Sequence, residues 1–254
     1  MYRTALITGA TSGIGKATAQ LLAKNGFRII VTGRRKDRLL ALKEKIEKEA
    51  NAEVYTLNFD IRDLKQTNTA IESLPLHWQN IDVLINNAGL AVGLNALHEG
   101  IIDDWERMID TNVKGLLYIT RKVAPKMVEK GSGHIINISS IAGIETYPYG
   151  NVYCATKHAV QSLTKAMRLE MLKNGIKVSS IEPGAVETEF SEIRFKGDKE
   201  RAKNTYAGFN PLKANDIADT VLFVLTRPSH VNIDSVLIMP TDQAFSRDFN
   251  RSNK

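Results

Sequence analysis

The N-terminal segment of the chain reads as a buried strand, a glycine-rich loop and a helix in immediate succession. The strand is the short apolar run Arg3–Thr8, and the helix runs from Lys16 to Lys24 with apolar residues at helical spacing. The loop carries three glycines, Gly9, Gly13 and Gly15, a spacing that differs from the G-x-G-x-x-G of most dinucleotide folds. Glycines let the backbone approach a pyrophosphate, and a helix N-terminus offers it free N–H groups. The segment therefore predicts a dinucleotide-binding α/β fold, the alternative being a helix-capping turn without a ligand.

The second predicted strand, Arg28–Thr32, indicates which dinucleotide is bound. An NAD enzyme usually places Asp or Glu near this strand end to hold the ribose 2′-hydroxyl. Here Gly33 is followed by Arg34 and Arg35, and guanidinium groups pair bidentately with phosphate. The pattern favours NADP, whose ribose carries a 2′-phosphate; the alternative is a solvated basic start to the next helix.

Strands and helices alternate along the rest of the chain. This rhythm predicts an α/β fold in which a single Rossmann domain, residues 1–254, builds a doubly wound parallel sheet with helices on both faces. After the first strand, the predicted strands lie near residues 28–32, 53–58, 81–86, 133–139, 176–182 and 235–239.

Composition excludes several classes of function. No apolar run is long enough to span a bilayer, and the first strand starts too early for a signal peptide. The net charge of +6 comes without a basic stripe that would indicate nucleic acid. The five histidines lack metal-ligand spacing, so no metal is expected. The single Cys154 fits a reducing, cytoplasmic location and reads as a small buried thiol.

Candidate acid–base chemistry lies in the second half of the chain. Tyr153 and Lys157 are one helical turn apart on the same face, roughly 5–6 Å between Cβ atoms. An ammonium there is expected to lower the tyrosine pKa from about 10 toward the working pH, which suits proton transfer. Ser140, thirteen residues earlier, is placed to hold the oxygen that gains or loses the proton. Taken alone, this spacing is also common on exposed helices.

Taken together, these motifs resemble the short-chain dehydrogenase/reductase family over nearly the whole chain. The motifs are Thr8-Gly9-x-x-x-Gly13-x-Gly15, Asn86-Asn87-Ala88-Gly89, Asn112, Ser140, Tyr153-x-x-x-Lys157 and Pro183-Gly184. The resemblance implies a dinucleotide-binding N-terminal half and a C-terminal half that carries catalysis and a substrate lid.

The resemblance also implies the role of each catalytic residue. Tyr153 is the acid/base, and Ser140 orients the substrate oxygen. Lys157 lowers the tyrosine pKa and binds the nicotinamide ribose, while Asn112 holds a water that links Lys157 to solvent. Ser139 is the alternative serine, but the family spacing selects Ser140.

Cofactor contacts follow from the same resemblance. Asn87 and Gly89 are expected on the adenosine ribose side, Asp60 on the adenine amino group and Ile61 beside the ring. The nicotinamide carboxamide is expected to contact four residues, Pro183, Gly184, Val186 and Thr188. The cofactor set is completed by Gly9, Thr11, Ser12, Gly13, Ile14, Gly15, Arg34, Arg35, Ala88, Tyr153 and Lys157. Locally, Asp60 also reads as a helix cap and Asn112 as a helix residue satisfied by backbone.

Several segments are closest to the NADP-dependent 3-hydroxy acid dehydrogenases, which act on L-allo-threonine, serine and 3-hydroxypropionate. They include Val31–Arg35, Gly150–Tyr153, Glu189–Ser191 and Arg194–Asp198. A substrate carboxylate needs a cation, and Arg194 in the predicted lid is the candidate, with Lys196 as the second. The substrate set is thus Ser140, Tyr153 and Arg194.

Two other functions are compatible with these residues. One is another reductase of the family, such as a 3-oxoacyl-acyl carrier protein reductase, and the other is a catalytically silent NADP-binding regulator. A homotetramer is expected from the family, with contacts on the late strand and on the long helices beginning near Asp104 and Val152. The last residues, 247–254, are expected to form a polar tail that frays or docks on a neighbouring subunit.

Overall fold

A computed structural model describes residues 3–252 of the chain. Its main sheet has seven strands, all parallel, in the order β3-β2-β1-β4-β5-β6-β9. These strands are β1 Thr4–Ile7, β2 Arg28–Gly33, β3 Val54–Asn58, β4 Val83–Asn86, β5 Gly133–Ile138, β6 Ile176–Pro183 and β9 Ser235–Ile238. A separate pair of two-residue strands is formed by β7 Val186–Glu187 and β8 Leu212–Lys213.

Nine α-helices connect the strands within the described range. They are α1 Gly13–Lys24, α2 Lys36–Ala50, α3 Leu64–Glu72, α4 Ile102–Ile109, α5 Leu116–Lys130, α6 Asn151–Glu170, α7 Phe190–Arg194, α8 Lys199–Asn204 and α9 Ala214–Leu225. A π-helical turn, Asp110–Gly115, joins α4 to α5. The two long helices expected near Asp104 and Val152 thus begin at Ile102 and Asn151.

Strand side chains alternate between two hydrophobic cores. Ala5 and Ile7 pack with residues of α1, α2 and α9 on one face, whereas Leu6 packs with residues of α5 and α6 on the other. Both faces of a parallel sheet are then buried, which accounts for its nearly continuous apolar strands. The predicted doubly wound fold is confirmed, and each strand lies within two residues of its expected position.

The strand order places the functional cleft. β1 pairs with β2 on one side and with β4 on the other, so the winding direction of the sheet reverses there. Ligands of such sheets bind at the carboxyl ends of the strands beside this reversal. The glycine loop after β1 and Asn86–Gly89 after β4 lie at that edge.

The C-terminal half contains the segment predicted as a substrate lid and one contact that was not predicted. Residues 189–208, which contain α7 and α8, form a lid segment over the carboxyl edge of the sheet. Residues 247–252 dock on this segment of their own chain, and Arg251 there donates to the Thr205 carbonyl and stacks on Phe209 and Phe249. The predicted fraying is therefore wrong for 247–252, whereas docking on a neighbouring subunit stays a prediction. Positions 253 and 254 lie outside the described residues. None of the described helices has the length and hydropathy of a membrane span.

Candidate active site

The glycine loop adopts a conformation that side chains would prevent. Gly9 and Gly13 have φ of +67° and +53°, the left-handed region that favours glycine. A Cβ on Gly15 would lie 2.4 Å from Nδ2 of Asn87. That amide instead donates to the Thr8 carbonyl at 2.8 Å, so the loops after β1 and β4 are held together.

The start of α1 is open to an anion. Ser12 occupies the N-cap position, but its side chain does not cap the helix. Its hydroxyl accepts from Nη2 of Arg35 at 2.9 Å instead. The first N–H groups of α1 are therefore left to a ligand, next to a guanidinium group.

A cavity of about 560 Å³ gathers the predicted site residues along the carboxyl edge of the sheet. This is the usual size of a small-molecule site. Its wall includes Ser140, Arg194 and all but one of the predicted cofactor residues: Gly9, Thr11, Ser12, Gly13, Ile14, Arg34, Arg35, Asp60, Ile61, Asn87, Ala88, Gly89, Tyr153, Lys157, Pro183, Gly184, Val186 and Thr188. Three predicted residues, Gly15, Asn112 and Lys196, do not line it.

The adenosine end of the cavity carries paired charges. Asp60 accepts from Arg62 at 2.7 Å and lies 3.6 Å from Nη1 of Arg34. Burial pushes the pKa of Asp60 up, but the hydrogen bonds and charge of Arg62 outweigh it and hold the pKa below its usual value. Asp60 therefore stays ionised and largely engaged by arginine, and its contact with adenine stays a prediction.

A second cluster joins the helix α2 to the lid segment. Arg35 donates from Nη1 to Glu189 at 3.0 Å, and Arg38 donates from its Nη1 to both oxygens of the same carboxylate at 2.8 Å. Arg38, Arg62 and Glu189 escaped the sequence prediction because their charges resemble ordinary surface charges until the fold brings them together.

Tyr153 and Ser140 meet on the cavity wall. Tyr153 lies in the first turn of α6 and lines the cavity together with Ser140, which follows β5. The neighbouring Ser139 points away and donates to the Lys157 carbonyl at 3.3 Å, so the choice of Ser140 agrees with the geometry.

The expected lowering of the tyrosine pKa is wrong for this structure. Burial disfavours the phenolate and raises the pKa of Tyr153, with the Tyr147 phenol adding to the effect and the nearby Ser140 hydroxyl opposing it. Lys157 is one turn away, but its Nζ donates to the Ile138 carbonyl at 2.9 Å and lies 6.0 Å from the Tyr153 ring centre. Burial lowers the pKa of Lys157 to about 8.

Asn112 lies behind the cavity rather than in its wall. Its Oδ1 accepts from the Leu90 N–H, and its Nδ2 donates to the Leu90 carbonyl, both at 2.8 Å. The same Nδ2 donates to Thr156 at 3.0 Å. The side chain thus ties the β4 loop to α6, and its predicted water contact stays a prediction.

Two arginines and a tyrosine form the end of the cavity beyond Tyr153. Arg194 donates from Nη2 to the Tyr147 phenol at 2.6 Å and faces the Tyr153 ring. Arg247 stacks on the same Tyr147 ring, with its guanidinium carbon 5.0 Å from the ring centre. Lys196 points elsewhere and donates to the buried Asp104 at 2.8 Å. Tyr147 and Arg247 were missed because no local motif marks them.

The C-terminal segment also supports the loop after β6. Gln243 is buried and accepts through Oε1 from the Ala185 N–H at 2.8 Å. A Cβ on Gly184 would lie 2.4 Å from that oxygen, so this position requires glycine. In the chain from 3 to 252, no three His, Cys, Asp or Glu side chains cluster as a metal site would require.

Comparisons with known proteins agree with this arrangement. The chain is 48% identical over 242 residues to the NADP-dependent 3-hydroxy acid dehydrogenase YdfG of Salmonella typhi, covering 95% of this chain and 96% of that protein. It is 43% identical over 246 residues to the serine 3-dehydrogenase of Rhizobium radiobacter, covering 97% of each chain. The solved closed form of serine dehydrogenase complexed with NADP⁺ superimposes with a TM-score of 0.91 at 42% identity, over 99% of this chain and all of that one. The family model described as short chain dehydrogenase matches residues 3–199, and the chain accordingly belongs to the short-chain dehydrogenase family.

Proposed function

We propose that this protein is an NADP-dependent oxidoreductase that interconverts 3-hydroxy acids and 3-oxo acids. The observation that carries the proposal is that Ser140, Tyr153 and Lys157 share one cavity with the glycine loop and with Arg34 and Arg35. Relatives named for NADP, serine and 3-hydroxy acids support the same assignment.

The residues at the cofactor end fit NADP. The glycine loop has no room for side chains where it approaches the β4 loop, and the start of α1 is uncapped. Arg34 lines the cavity with a largely exposed side chain, and its one ion pair among the described residues is a long one with Asp60, at 3.6 Å. These residues would hold the pyrophosphate and the 2′-phosphate respectively. When bound, NADP supplies the carbon that gives or accepts the hydride.

Proton transfer falls to the chain's own residues. Ser140 holds the substrate oxygen, and Tyr153 takes the hydroxyl proton in oxidation and returns it in reduction. Because burial raises the Tyr153 pKa, its phenolate depends on the Lys157 ammonium and the Ser140 hydroxyl. Lys157 has a pKa of about 8 and is therefore mostly charged at neutral pH.

The substrate carboxylate is assigned to Arg194, held by Tyr147. Arg194 lines the cavity, and the hydrogen bonds among the described residues engage its Nη2 alone, on Tyr147, which leaves Nη1 for a ligand. Lys196 is less suited because Asp104 already neutralises it. Arg247, on the other face of Tyr147, adds positive potential at the same end of the cavity.

The test is reduction of NADP⁺ by the purified protein, followed by NADPH absorbance. L-allo-Threonine, L-serine, 3-hydroxypropionate and 3-hydroxyisobutyrate are the substrates, with NAD⁺ as the control cofactor. We expect turnover of one or more acids with NADP⁺ and far less with NAD⁺. Binding of NADPH without turnover of any of the four would contradict the substrate assignment, and turnover of a carrier-linked 3-oxoacyl thioester would then favour the reductase alternative.

A homotetramer in the cytoplasm completes the proposal. Leu169 and Leu172, at the end of α6 and just beyond it, are 75% and 66% exposed, and a subunit contact on this helix would cover them. Size-exclusion chromatography with light scattering tests the assembly, and a monomeric mass would refute it. The lone buried Cys154 is consistent with a reducing compartment.

A further inference from the structure

The carboxylate of Glu189 lies where the sequence places a phosphate. It accepts from Nη1 of Arg35 at 3.0 Å and from Nη1 of Arg38 at 2.8 Å. Arg35 also donates to Thr11 and Ser12 of the glycine loop, at 2.6 and 2.9 Å from Nη2. One guanidinium thus connects the predicted phosphate-binding loop to the first residue of the lid segment.

The local charge makes this carboxylate a competitor of a phosphate rather than a partner. In their ion pairs, the described arginines Arg34, Arg35, Arg38 and Arg62 share the carboxylates of Asp60 and Glu189, and Asp103 and Asp110 also act on Arg62. The arginines around Glu189 attract anions, and a phosphate monoester carries about −1.5 to −2 at neutral pH. Both oxygens of Glu189 accept from the single Nη1 of Arg38, so this carboxylate occupies a donor that a phosphate would need. A phosphate that arrives at Arg35 meets a like charge at close range, so the two anions exclude one another.

Glu189 is also joined through helix α7 to the part of the cavity that is proposed to bind the substrate. It directly precedes α7, the helix from Phe190 to Arg194. Phe190 packs on the Tyr153 ring at 5.9 Å, and Arg194 binds Tyr147. The far end of α7 is fixed independently, because the Arg194 carbonyl accepts from the Gly93 N–H at 3.0 Å. A shift of Glu189 therefore acts on the helix that carries the proposed substrate arginine.

We propose that Glu189 is a specificity-determining residue that competes with the cofactor's 2′-phosphate for Arg35 and Arg38, and that its displacement couples NADP binding to the lid segment. This inference rests on the proposed NADP function. NAD, which lacks the phosphate, leaves Glu189 on its arginines and the lid in place.

The test uses the whole protein and probes that report only this end of the site. Titration calorimetry measures adenosine 2′-monophosphate, adenosine 5′-monophosphate, NADP⁺ and NAD⁺ on wild type, Glu189→Gln and Glu192→Gln. Glu192 is the matched control, since it is an exposed glutamate of the same helix α7. Exposed ion pairs of this kind are individually weak, so Glu189→Gln should bind the 2′-monophosphate and NADP⁺ about three- to ten-fold more tightly. Affinity for the 5′-monophosphate and NAD⁺ should not change, and Glu192→Gln should match wild type.

Hydrogen exchange of residues 189–208 supplies the second measurement. NADP⁺ should change exchange across the lid segment of wild type, whereas NAD⁺ should not, and unliganded Glu189→Gln should already differ from wild type. Unchanged or weaker binding of the 2′-monophosphate by Glu189→Gln would overturn the inference, and weaker binding would identify Glu189 as a clasp over the bound cofactor. If wild type itself fails to prefer NADP⁺ over NAD⁺, the proposed function fails first and this inference with it.

Discussion

Arg194 donates to the phenolic oxygen of Tyr147 at 2.6 Å, across 47 residues of sequence. The contact turns a lid arginine toward Tyr153, whose ring lies 5.4 Å from the guanidinium carbon. The phenol accepts this bond and keeps its own proton. Burial raises the pKa of Tyr147, so it remains a neutral donor at every pH of interest. Arginine and tyrosine together present a positive, hydrogen-bonding end wall to the cavity.

Replacement of Arg194 by alanine tests the carboxylate assignment. The KM for 3-hydroxy acids should rise by about ten- to a hundred-fold, because a charge-assisted bond contributes roughly 1.5–3 kcal/mol. A neutral alcohol should be affected much less. Steady-state kinetics on both substrate types measure this, with Lys196→Ala as the control because Lys196 is bound to Asp104. Equal losses for acid and alcohol would contradict the assignment.

Gly150 to alanine tests whether Tyr147 must hold its position. A Cβ at residue 150 would lie 2.2 Å from the Tyr147 ring, although the backbone there (φ −89°) accepts any side chain. The ring must therefore move, and Arg194 loses its partner. We expect the KM for hydroxy acids to rise several-fold while NADPH affinity, measured by fluorescence titration, stays near wild type. An unchanged KM would show that Tyr147 has no part in substrate binding.

Arg34 to aspartate tests the cofactor preference. A carboxylate at this position repels the 2′-phosphate and suits the ribose hydroxyl of NAD. The affinity for NADP⁺ should fall by about a hundred-fold, whereas that for NAD⁺ should be unchanged or improved. Calorimetric titration of both cofactors measures the ratio. Equal losses would remove Arg34 from the phosphate site.

The pKa of Lys157 has a consequence for stability. Burial lowers it from 10.5 to about 8, so between these values the unfolded chain binds a proton that the folded protein does not. The free energy of unfolding therefore rises with pH across the window from 8 to 10, at up to about 1.4 kcal/mol per pH unit. Lys157→Met should lack this rise and should also lose activity, because no cation then stabilises the Tyr153 phenolate.

Urea titrations at pH 8, 9 and 10 compare the two proteins. Tyr153→Phe serves as the control: it should lose activity by about a hundred-fold or more, yet keep the pH-dependent rise in stability. A rise that persists in Lys157→Met would contradict the buried-ammonium explanation.

The parts of the site that could be predicted from sequence are those with local spacing. The glycine loop, Arg34 and the Ser140–Tyr153–Lys157 set each lie within one strand–loop–helix unit, and the family resemblance implies a role for each. The Glu189–Arg35 pair spans 154 residues, and nothing in either segment marks the other. The predicted lowering of the Tyr153 pKa was wrong for a related reason. Helical spacing predicts how near the side chains of Tyr153 and Lys157 are. Their burial, and the hydrogen bond from Nζ of Lys157 to the Ile138 carbonyl, depend on the tertiary fold.

The buried His134 gives a prediction that is independent of the active site. It lies on β5 and contacts Ser179 at 2.9 Å through Nε2. Ser179 donates its only hydroxyl proton to the Ile233 carbonyl at 2.6 Å, so Nε2 of His134 must carry the proton and donate. Nδ1 is buried without a partner in the part of the chain described, and a second proton there would be a buried, unpaired charge.

Burial accordingly lowers the pKa of His134 from 6.5 to about 3, with the charges of Lys177 and Arg3 adding to the effect. Below pH 6.5 the unfolded chain takes up a proton that the folded protein refuses. The contribution of neutral His134 to the free energy of unfolding is therefore fully present above pH 6.5. It falls by about 1.4 kcal/mol per pH unit as the pH drops toward 3. His134→Gln retains a donor amide and should flatten the decline between pH 6 and 4.5. Thermal unfolding across that range measures it, and His98→Gln, whose side chain is 81% exposed, should decline as wild type does. An equal slope in all three proteins would mean that His134 is protonated within the fold.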